Sequence, residues 1–258
     1  MQQRLDVGAV IRQVWSIYVD QAPVLMPAAA AVFVVTGIAA ALLAASGSVL
    51  GLLVAEILVI VAGMLFTAMV VELVADVQDG RRDSSPGQLL RAAAPVLGQL
   101  ILVGLVASVA IVIGLFALIV PGLILVTIWS VFVPVIVLER PPGLGSLGRS
   151  RELVRGNGWQ VFGVLFVLFV LVGVVAGVID GAAASAGTGV GIVVRVIVGV
   201  LTAPLTALAA AVLYFQLLSA AAGGATAAGG APPPGPGEPV SPAPPSQAGD
   251  AFAQRPER

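Results

Sequence analysis

The chain has 258 residues, of which 59% are apolar and only 10% are charged, and its mean hydropathy is +1.10. A soluble domain carries about 25% charged residues, so this composition indicates an integral membrane protein with little aqueous surface. The lack of cysteine and histidine excludes disulfides, imidazole bases and the usual zinc ligand sets, and a formal net charge of −1 gives no reason to expect nucleic-acid binding. We therefore expect no metal, no cofactor and no nucleic-acid partner. All basic residues are arginine, a bias typical of GC-rich bacterial genomes.

The N-terminal segment, residues 1–21, is too polar to span a bilayer, but it has one apolar helical face. Arg4, Arg12 and Asp20 lie largely off that face. This pattern predicts an amphipathic helix lying in the membrane interface. The apolar residues recur at spacings of three and four: Val7, Val10, Ile11, Val14, Trp15 and Tyr18.

A membrane domain, residues 22–219, follows and contains six apolar segments. Each is near the roughly 20 residues that a bilayer core requires, so the sequence predicts an all-α protein with six transmembrane helices. The predicted spans are 24–45, 49–71, 95–119, 122–139, 159–180 and 191–218. Pro134 and Pro204 fall inside two of them and predict local kinks.

The last part, residues 220–258, is rich in proline, glycine and alanine and lacks apolar periodicity. Such a segment buries too little surface to offset the entropy of ordering it. We predict a disordered C-terminal tail.

The arginines predict the topology. Every arginine except Arg195 falls in the N-terminal segment, the loops 76–91 and 140–158, or the tail, whereas the three remaining turns contain none. By the positive-inside rule, both termini are cytoplasmic, and we predict a multi-pass protein of the plasma membrane.

The predicted cytoplasmic segments share a short pattern. Gly8–Arg12, Gly87–Arg91 and Gly145–Arg149 all have glycine, then valine or leucine two residues later, then arginine after two more. Each stands ahead of a pair of spans. This favours three hairpins, each preceded by a cytoplasmic amphipathic interfacial helix, and the alternative is chance recurrence in a biased sequence.

Charged residues within spans are costly and usually paired or functional. Glu56 in the second span and Arg195 in the sixth approach from the outer side, where Asp180 closes the fifth span. They predict an intramembrane polar cluster that fixes helix packing, and the alternative is the lining of a substrate cavity or proton path.

Three other patterns have structural interpretations. Glu72, Asp76 and Asp79 form an acidic stripe, interpreted as solvated or paired with nearby arginines rather than as a metal site. The stretch Gly143–Gly148 matches G-x-G-x-x-G, but without a strand and βαβ unit it is interpreted as a turn into an interfacial helix. Gly173, Gly177 and Gly181 predict a helix-packing face within the bundle, and the alternative is a homodimer seam.

The 140–158 loop indicates which lipids the protein contacts. It carries Arg140, Arg149, Arg151 and Arg155, and we expect an amphipathic helix there to contact anionic lipids of the inner leaflet.

Several motifs resemble the membrane domain found with glycerophosphoryl diester phosphodiesterases and related uncharacterised multi-span bacterial proteins. They are a proline-glycine turn, a span ending in P-x-I-x-L-E, a basic L-x-R-S-x-x-L helix, a G-x-W-x-x-x-G span start and a last span with a terminal tyrosine. They lie at Pro121–Gly122, Pro134–Glu139, Leu147–Leu153, Gly158–Gly163 and Ala203–Leu217. The resemblance implies no catalytic residues, because phosphodiesterase activity in that family belongs to a separate soluble barrel.

These observations favour a non-enzymatic polytopic membrane protein, a scaffold or a partner subunit of other membrane proteins in envelope or lipid homeostasis. The alternative is a transporter or lipid-handling channel with an intramembrane site at Glu56 and Arg195. A membrane enzyme ranks third among the hypotheses, because the carboxylates and arginines that could serve catalysis are not clustered in the sequence.

Overall fold

A computed structural model describes residues 6–79, 86–184 and 188–227, except for the side chains of residues 86, 180, 182–184, 188, 189, 192, 195 and 223–227. Within these residues the chain is all-helical, with ten α-helices and one short 3₁₀ helix, Ala94–Val96. The α-helices are α1 Val7–Asp20, α2 Ala22–Ala44, α3 Val49–Gln78, α4 Pro86–Ala93, α5 Leu97–Ala117, α6 Ile119–Ile128, α7 Phe132–Glu139, α8 Gly145–Val154, α9 Gly158–Ala184 and α10 Thr188–Ala227.

Six helical segments are long and apolar enough to cross a membrane. This confirms the prediction of a polytopic helical membrane protein. The segments are Ala22–Ala44, Val49–Gln78, Gly87–Ala117, Ile119–Glu139, Gly158–Ile179 and Val196–Ala222.

Consecutive long helices pack on each other as hairpins. Helix α2 packs on α3, α5 on α6, and α9 on α10. Helix α10 is the centre of the bundle, since it also packs on α1, α2 and α3. Its core-facing residues Leu208, Leu213 and Leu217 are almost wholly buried.

A short helix precedes each hairpin, and all three short helices bury the same position of the repeated pattern. The apolar residue of each repeated pattern is buried: Val10 of α1, Leu89 of α4 and Leu147 of α8. Because the arginine lies two positions further along a helix, it falls on a different side, and Arg12 and Arg91 are exposed.

Helix α1 is more closely integrated than an interfacial helix alone requires. Val10 and Val14 join the hydrophobic core of the bundle. The Tyr18 hydroxyl donates to the Leu201 carbonyl of α10 at 3.1 Å. Trp15 stacks on Tyr18 with ring centroids 5.7 Å apart and remains 58% exposed. This helix therefore packs against the bundle with its aromatic edge outward.

The fourth span is broken, and the break lies before the kink predicted at Pro134. Helix α6 ends at Ile128 and α7 begins at Phe132. Proline has no backbone N–H and disfavours a helix across the preceding turn. The Phe132 N–H instead donates to the Trp129 carbonyl at 3.3 Å. Helix α10, by contrast, continues through Pro204.

The last helix is longer than predicted. Helix α10 has 40 residues, about 60 Å at 1.5 Å per residue, roughly twice the thickness of a bilayer core. It extends into the segment predicted to be a disordered tail from residue 220. The remainder of that segment, residues 228–258, lies outside the described residues.

The glycine series of α9 does not form a packing face within the described bundle, so that prediction is wrong. A Cβ atom added at Gly173, Gly177 or Gly181 would meet no atom of the described residues within 4 Å. Close glycine packing occurs instead between α5 and α6, where a Cβ at Gly122 would lie 2.7 Å from the Leu115 backbone nitrogen.

Candidate functional site

A carboxylate at the end of α7 is the centre of a polar cluster. Glu139 accepts a hydrogen bond from the Tyr214 hydroxyl on Oε1 at 3.0 Å and one from Arg149 Nε on Oε2 at 2.9 Å. Tyr214 is buried in α10, and the Glu139 side chain is 27% exposed. The three side chains therefore join α7, α8 and α10 at the end of the bundle that carries the arginines.

Arg149 also faces a second carboxylate. Its NH1 atom lies 3.5 Å from Glu152 Oε2, one turn further along α8. Partial burial by itself would lower the pKa of Arg149, but hydrogen bonds and the negative charges of Glu139 and Glu152 raise that pKa above its usual value. The guanidinium is held in its charged form between two acids.

The turn between α7 and α8 has a fixed backbone. Arg140 adopts the left-handed conformation (φ 49°, ψ 47°) and ends α7. Pro141 and Pro142 follow, and a residue before proline is disfavoured in a right-handed helix. Gly143 has a φ of +55°, which glycine adopts readily. The predicted role of this glycine in a turn is confirmed.

Helix α5 holds the same turn from the side. The Gln99 side-chain amide donates to the carbonyls of Pro141 and Gly143, the latter at 3.1 Å. Side-chain bonds to buried or half-buried backbone carbonyls satisfy acceptors that a turn leaves unpaired. This contact links α5 of the second hairpin to the turn that leads into α8 and the third hairpin.

The acidic stripe of α3 has one arginine of the α7–α8 turn near it, and its predicted pairing with Arg81 and Arg82 stays a prediction. Glu72 is half-buried and lies near Arg140 and Asp76. Arg81 and Arg82, the partners expected from the sequence, lie outside the described residues. In the described ranges, no group of three acidic side chains converges to hold a metal ion.

Helix α8 also supplies a hydrogen-bond donor at the break in the fourth span. The Ser150 hydroxyl, wholly buried, donates to the Ile128 carbonyl at 2.8 Å. That carbonyl would otherwise lack a helical partner, because the Phe132 N–H bonds elsewhere. Ser146, one turn earlier on α8, is also wholly buried, but its hydroxyl has no partner among the described residues.

The predicted outer cluster is described only in part. Glu56 lies on an exposed face of α3 with Leu52, Leu53 and Ile57, and so it points out of the bundle. The side chains of Asp180 and Arg195 lie outside the described residues. Their pairing with Glu56 stays a prediction.

An apolar crevice opens between the two helices that flank the α7–α8 region. It has a volume of about 420 Å³ and lies between α6 and the first turns of α9. Trp159 stands at its edge, 84% exposed, and packs edge-to-face on Phe162 with ring centroids 6.0 Å apart. The lining residues are Val120, Leu123, Ile124, Thr127, Ile128, Gly158, Trp159 and Phe162.

The four loop arginines have different surroundings. Arg149 is engaged by Glu139 and Glu152, and Arg140 lies near Glu72. Arg151 and Arg155 are exposed, and neither forms an ion pair with a described residue. Of the predicted lipid contacts, these two are the ones whose charges are not compensated within the described chain.

Glu139, Tyr214 and Arg149 form a polar clamp that joins α7, α10 and α8. Both oxygens of Glu139 accept hydrogen bonds from donors on other helices, an arrangement that fixes the geometry of the three side chains. Sequence reasoning missed Tyr214 as a partner. The sequence places Tyr214 in a motif of the last span, but no pattern in it indicates a pairing with Glu139.

These features define an α-helical polytopic membrane protein with a polar clamp at its arginine-bearing end. No protein-family model, curated protein or solved structure matches the chain. The resemblance to the phosphodiesterase-associated membrane domain therefore stays a prediction.

Proposed function

We propose that this protein is a non-enzymatic membrane scaffold or partner subunit that serves envelope or lipid homeostasis. The observation that carries the proposal is the double engagement of Glu139 by Tyr214 and Arg149. An acid or base in catalysis needs a free position that faces its substrate. Glu139 instead links three helices into a fixed platform, which suits a structural role.

The proposed orientation places this platform in the cytoplasm. Glu139, Gln99, Arg149 and the Tyr214 end of α10 meet at one end of the bundle, and the arginine distribution predicts that this end is inside. The lipid connection rests on the resemblance of these same segments to a membrane domain found with enzymes that cleave lipid-derived diesters.

The proposal is tested by complementation with charge-neutral variants. In a strain that lacks the protein, Glu56→Gln, Glu72→Gln and Glu152→Gln should each restore the wild-type envelope phenotype, because a scaffold needs its fold and not a titrating acid. Protein levels in the membrane are measured alongside. A variant that is present at the normal level but inactive would favour a transporter or an enzyme.

The same strain tests assembly. Tagged wild-type chain, purified in mild detergent, should retain the same membrane proteins as Glu56→Gln, and each retained protein should capture this chain reciprocally. Tyr214→Phe, which removes one arm of the clamp, should reduce that retention. Equal retention by Tyr214→Phe and wild type would separate the clamp from assembly and contradict the proposal.

A lipid-handling role is the second candidate, and the crevice between α6 and α9 favours it. Its lining is apolar and it lies within two membrane-spanning segments. Reconstitution into vesicles that contain a fluorescent phospholipid tests this role, since lipid handling should accelerate exchange between leaflets relative to vesicles without protein.

A further inference from the structure

The crevice between α6 and α9 has the shape and lining of an acyl-chain site. Its volume of about 420 Å³ lies within the roughly 300–1,000 Å³ of small-ligand sites. Leu123, Ile124 and Phe162 supply its walls. The hydroxyl of Thr127 in the lining already donates to the Leu123 carbonyl at 2.8 Å. Thr127 therefore leaves no unpaired hydroxyl proton to oppose a hydrocarbon chain.

The crevice is placed where a membrane lipid reaches it. Both walls belong to predicted membrane spans, Ile119–Glu139 and Gly158–Ile179. Trp159 lies at the very start of the second wall and is 84% exposed, and exposed tryptophan is typical of the membrane–water interface. With Trp159 at headgroup depth, the mouth of the crevice would face the headgroups and its apolar lining would face the acyl chains.

Two uncompensated cations lie close along the chain to residues that line or contact the crevice. Arg151 follows Ser150, whose hydroxyl holds the carbonyl of the lining residue Ile128 at 2.8 Å. Arg155 ends α8 and lies three residues before the lining residue Gly158, at most about 11 Å along the chain. Both side chains are exposed, and neither has an ion-pair partner in the described part of the chain.

From this juxtaposition we propose a specific site for one anionic phospholipid, with an acyl chain in the α6–α9 crevice and its headgroup phosphate on Arg151 and Arg155. An apolar slot alone would not distinguish this lipid from its neighbours, because every chain in the bilayer is equally apolar. The selectivity comes from the two arginines, and the crevice fixes the position of the bound lipid. This site goes beyond the scaffold role and does not depend on it.

Quenching of Trp159 fluorescence measures occupancy directly. The chain has three tryptophans, so a Trp15→Phe, Trp129→Phe background leaves Trp159 as the sole reporter. The protein is reconstituted into vesicles whose phosphatidylglycerol or, separately, phosphatidylcholine carries brominated acyl chains. We expect a preference for the anionic lipid of about fivefold for each arginine, which corresponds to roughly 1 kcal/mol per basic residue near an anionic surface.

Matched charge variants decide between a site and general attraction. Arg151→Gln with Arg155→Gln should reduce the preference to near one. Arg12→Gln with Arg91→Gln removes the same charge from two other helices and should leave it unchanged. An equal preference in both double variants would show that lipids around the protein are only electrostatically enriched, and this would overturn the proposal.

A second measurement keeps the test independent of the tryptophan substitutions. Native mass spectrometry of the chain with all its tryptophans, released from vesicles of phosphatidylglycerol and phosphatidylcholine, should show one retained phosphatidylglycerol. Leu123→Trp, which fills the crevice, should lose it, whereas Leu102→Trp on the exposed face of α5 should keep it. Retention by Leu123→Trp would exclude the crevice as the acyl site. Binding and partner capture are separate measurements, so failure here leaves the scaffold proposal to its own test.

Discussion

The Tyr214 hydroxyl donates to Glu139 Oε1 at 3.0 Å, although the two residues are 75 positions apart. The bond joins the final turn of the fourth span to the last span. Arg149 completes the arrangement from α8 by donating to the other carboxylate oxygen at 2.9 Å. A contact between three separate helices at one carboxylate makes the clamp a good target for measurements of stability.

The clamp should contribute measurably to stability. Tyr214→Phe removes a hydrogen bond to a charged group and should lower the free energy of unfolding by about 1.5–3 kcal/mol. Tyr18→Phe is the matched control, because its exposed hydroxyl donates to a neutral backbone carbonyl, and it should cost about 0.5–1.5 kcal/mol. Thermal unfolding in a mild detergent provides the comparison. A larger loss for Tyr18→Phe would contradict the central role of the clamp.

The two neighbouring arginines of α8 should differ in importance. Arg149→Gln should lower stability by about 1 kcal/mol, a modest value because the pair with Glu139 is partly exposed and screened by solvent. Arg151→Gln should change stability by less than about 0.5 kcal/mol, since it has no ion-pair partner among the described residues. Unfolding measurements at low and high salt check this, since only the Arg149 effect should shrink at high salt.

Two buried serines on α8 should respond in opposite ways. Ser150→Ala removes the donor to the Ile128 carbonyl and should cost about 1 kcal/mol or more, because a half-buried acceptor loses its partner. Ser146→Ala removes a buried hydroxyl that has no partner among the described residues and should be neutral or slightly stabilising. Thermal unfolding of the two variants is the measurement. Equal losses would indicate that Ser146 has a partner.

Two helix glycines give a similar contrast. Gly122→Ala should destabilise by about 1–3 kcal/mol, since the new Cβ would lie 2.7 Å from the Leu115 nitrogen. Gly173→Ala meets open space and should stabilise α9 by about 0.5–1 kcal/mol through its helix propensity. The stability of the purified protein tests both values. A marked loss for Gly173→Ala would mean that this face of α9 is packed.

The proposed orientation is open to chemical labelling. The chain has no cysteine, so a single introduced thiol reports its own position. Ala45→Cys, in the exposed turn between α2 and α3, should react with a membrane-impermeant maleimide in intact cells. Leu144→Cys, exposed in the α7–α8 turn, should react only after the cells are permeabilised. The reverse pattern would invert the topology.

The sequence by itself determined the helical class and the number of apolar segments. An apolar run of about 20 residues satisfies its backbone groups only as a helix in lipid, and that constraint is local. Local constraints also predicted the short helices before each hairpin and the turn at Gly143.

Contacts between distant segments were decided only by the tertiary structure. Hydropathy assigns Tyr214 to the last span but does not identify its partner. Nothing local in the sequence indicates that it contacts Glu139. Likewise Pro134 predicted a disturbed helix, but nothing local indicates that Ser150 of α8 pairs with the freed carbonyl of Ile128. The glycines of α9 had the spacing of a packing face, yet the described bundle places no helix against them, because spacing specifies where a neighbour fits and not whether one is present.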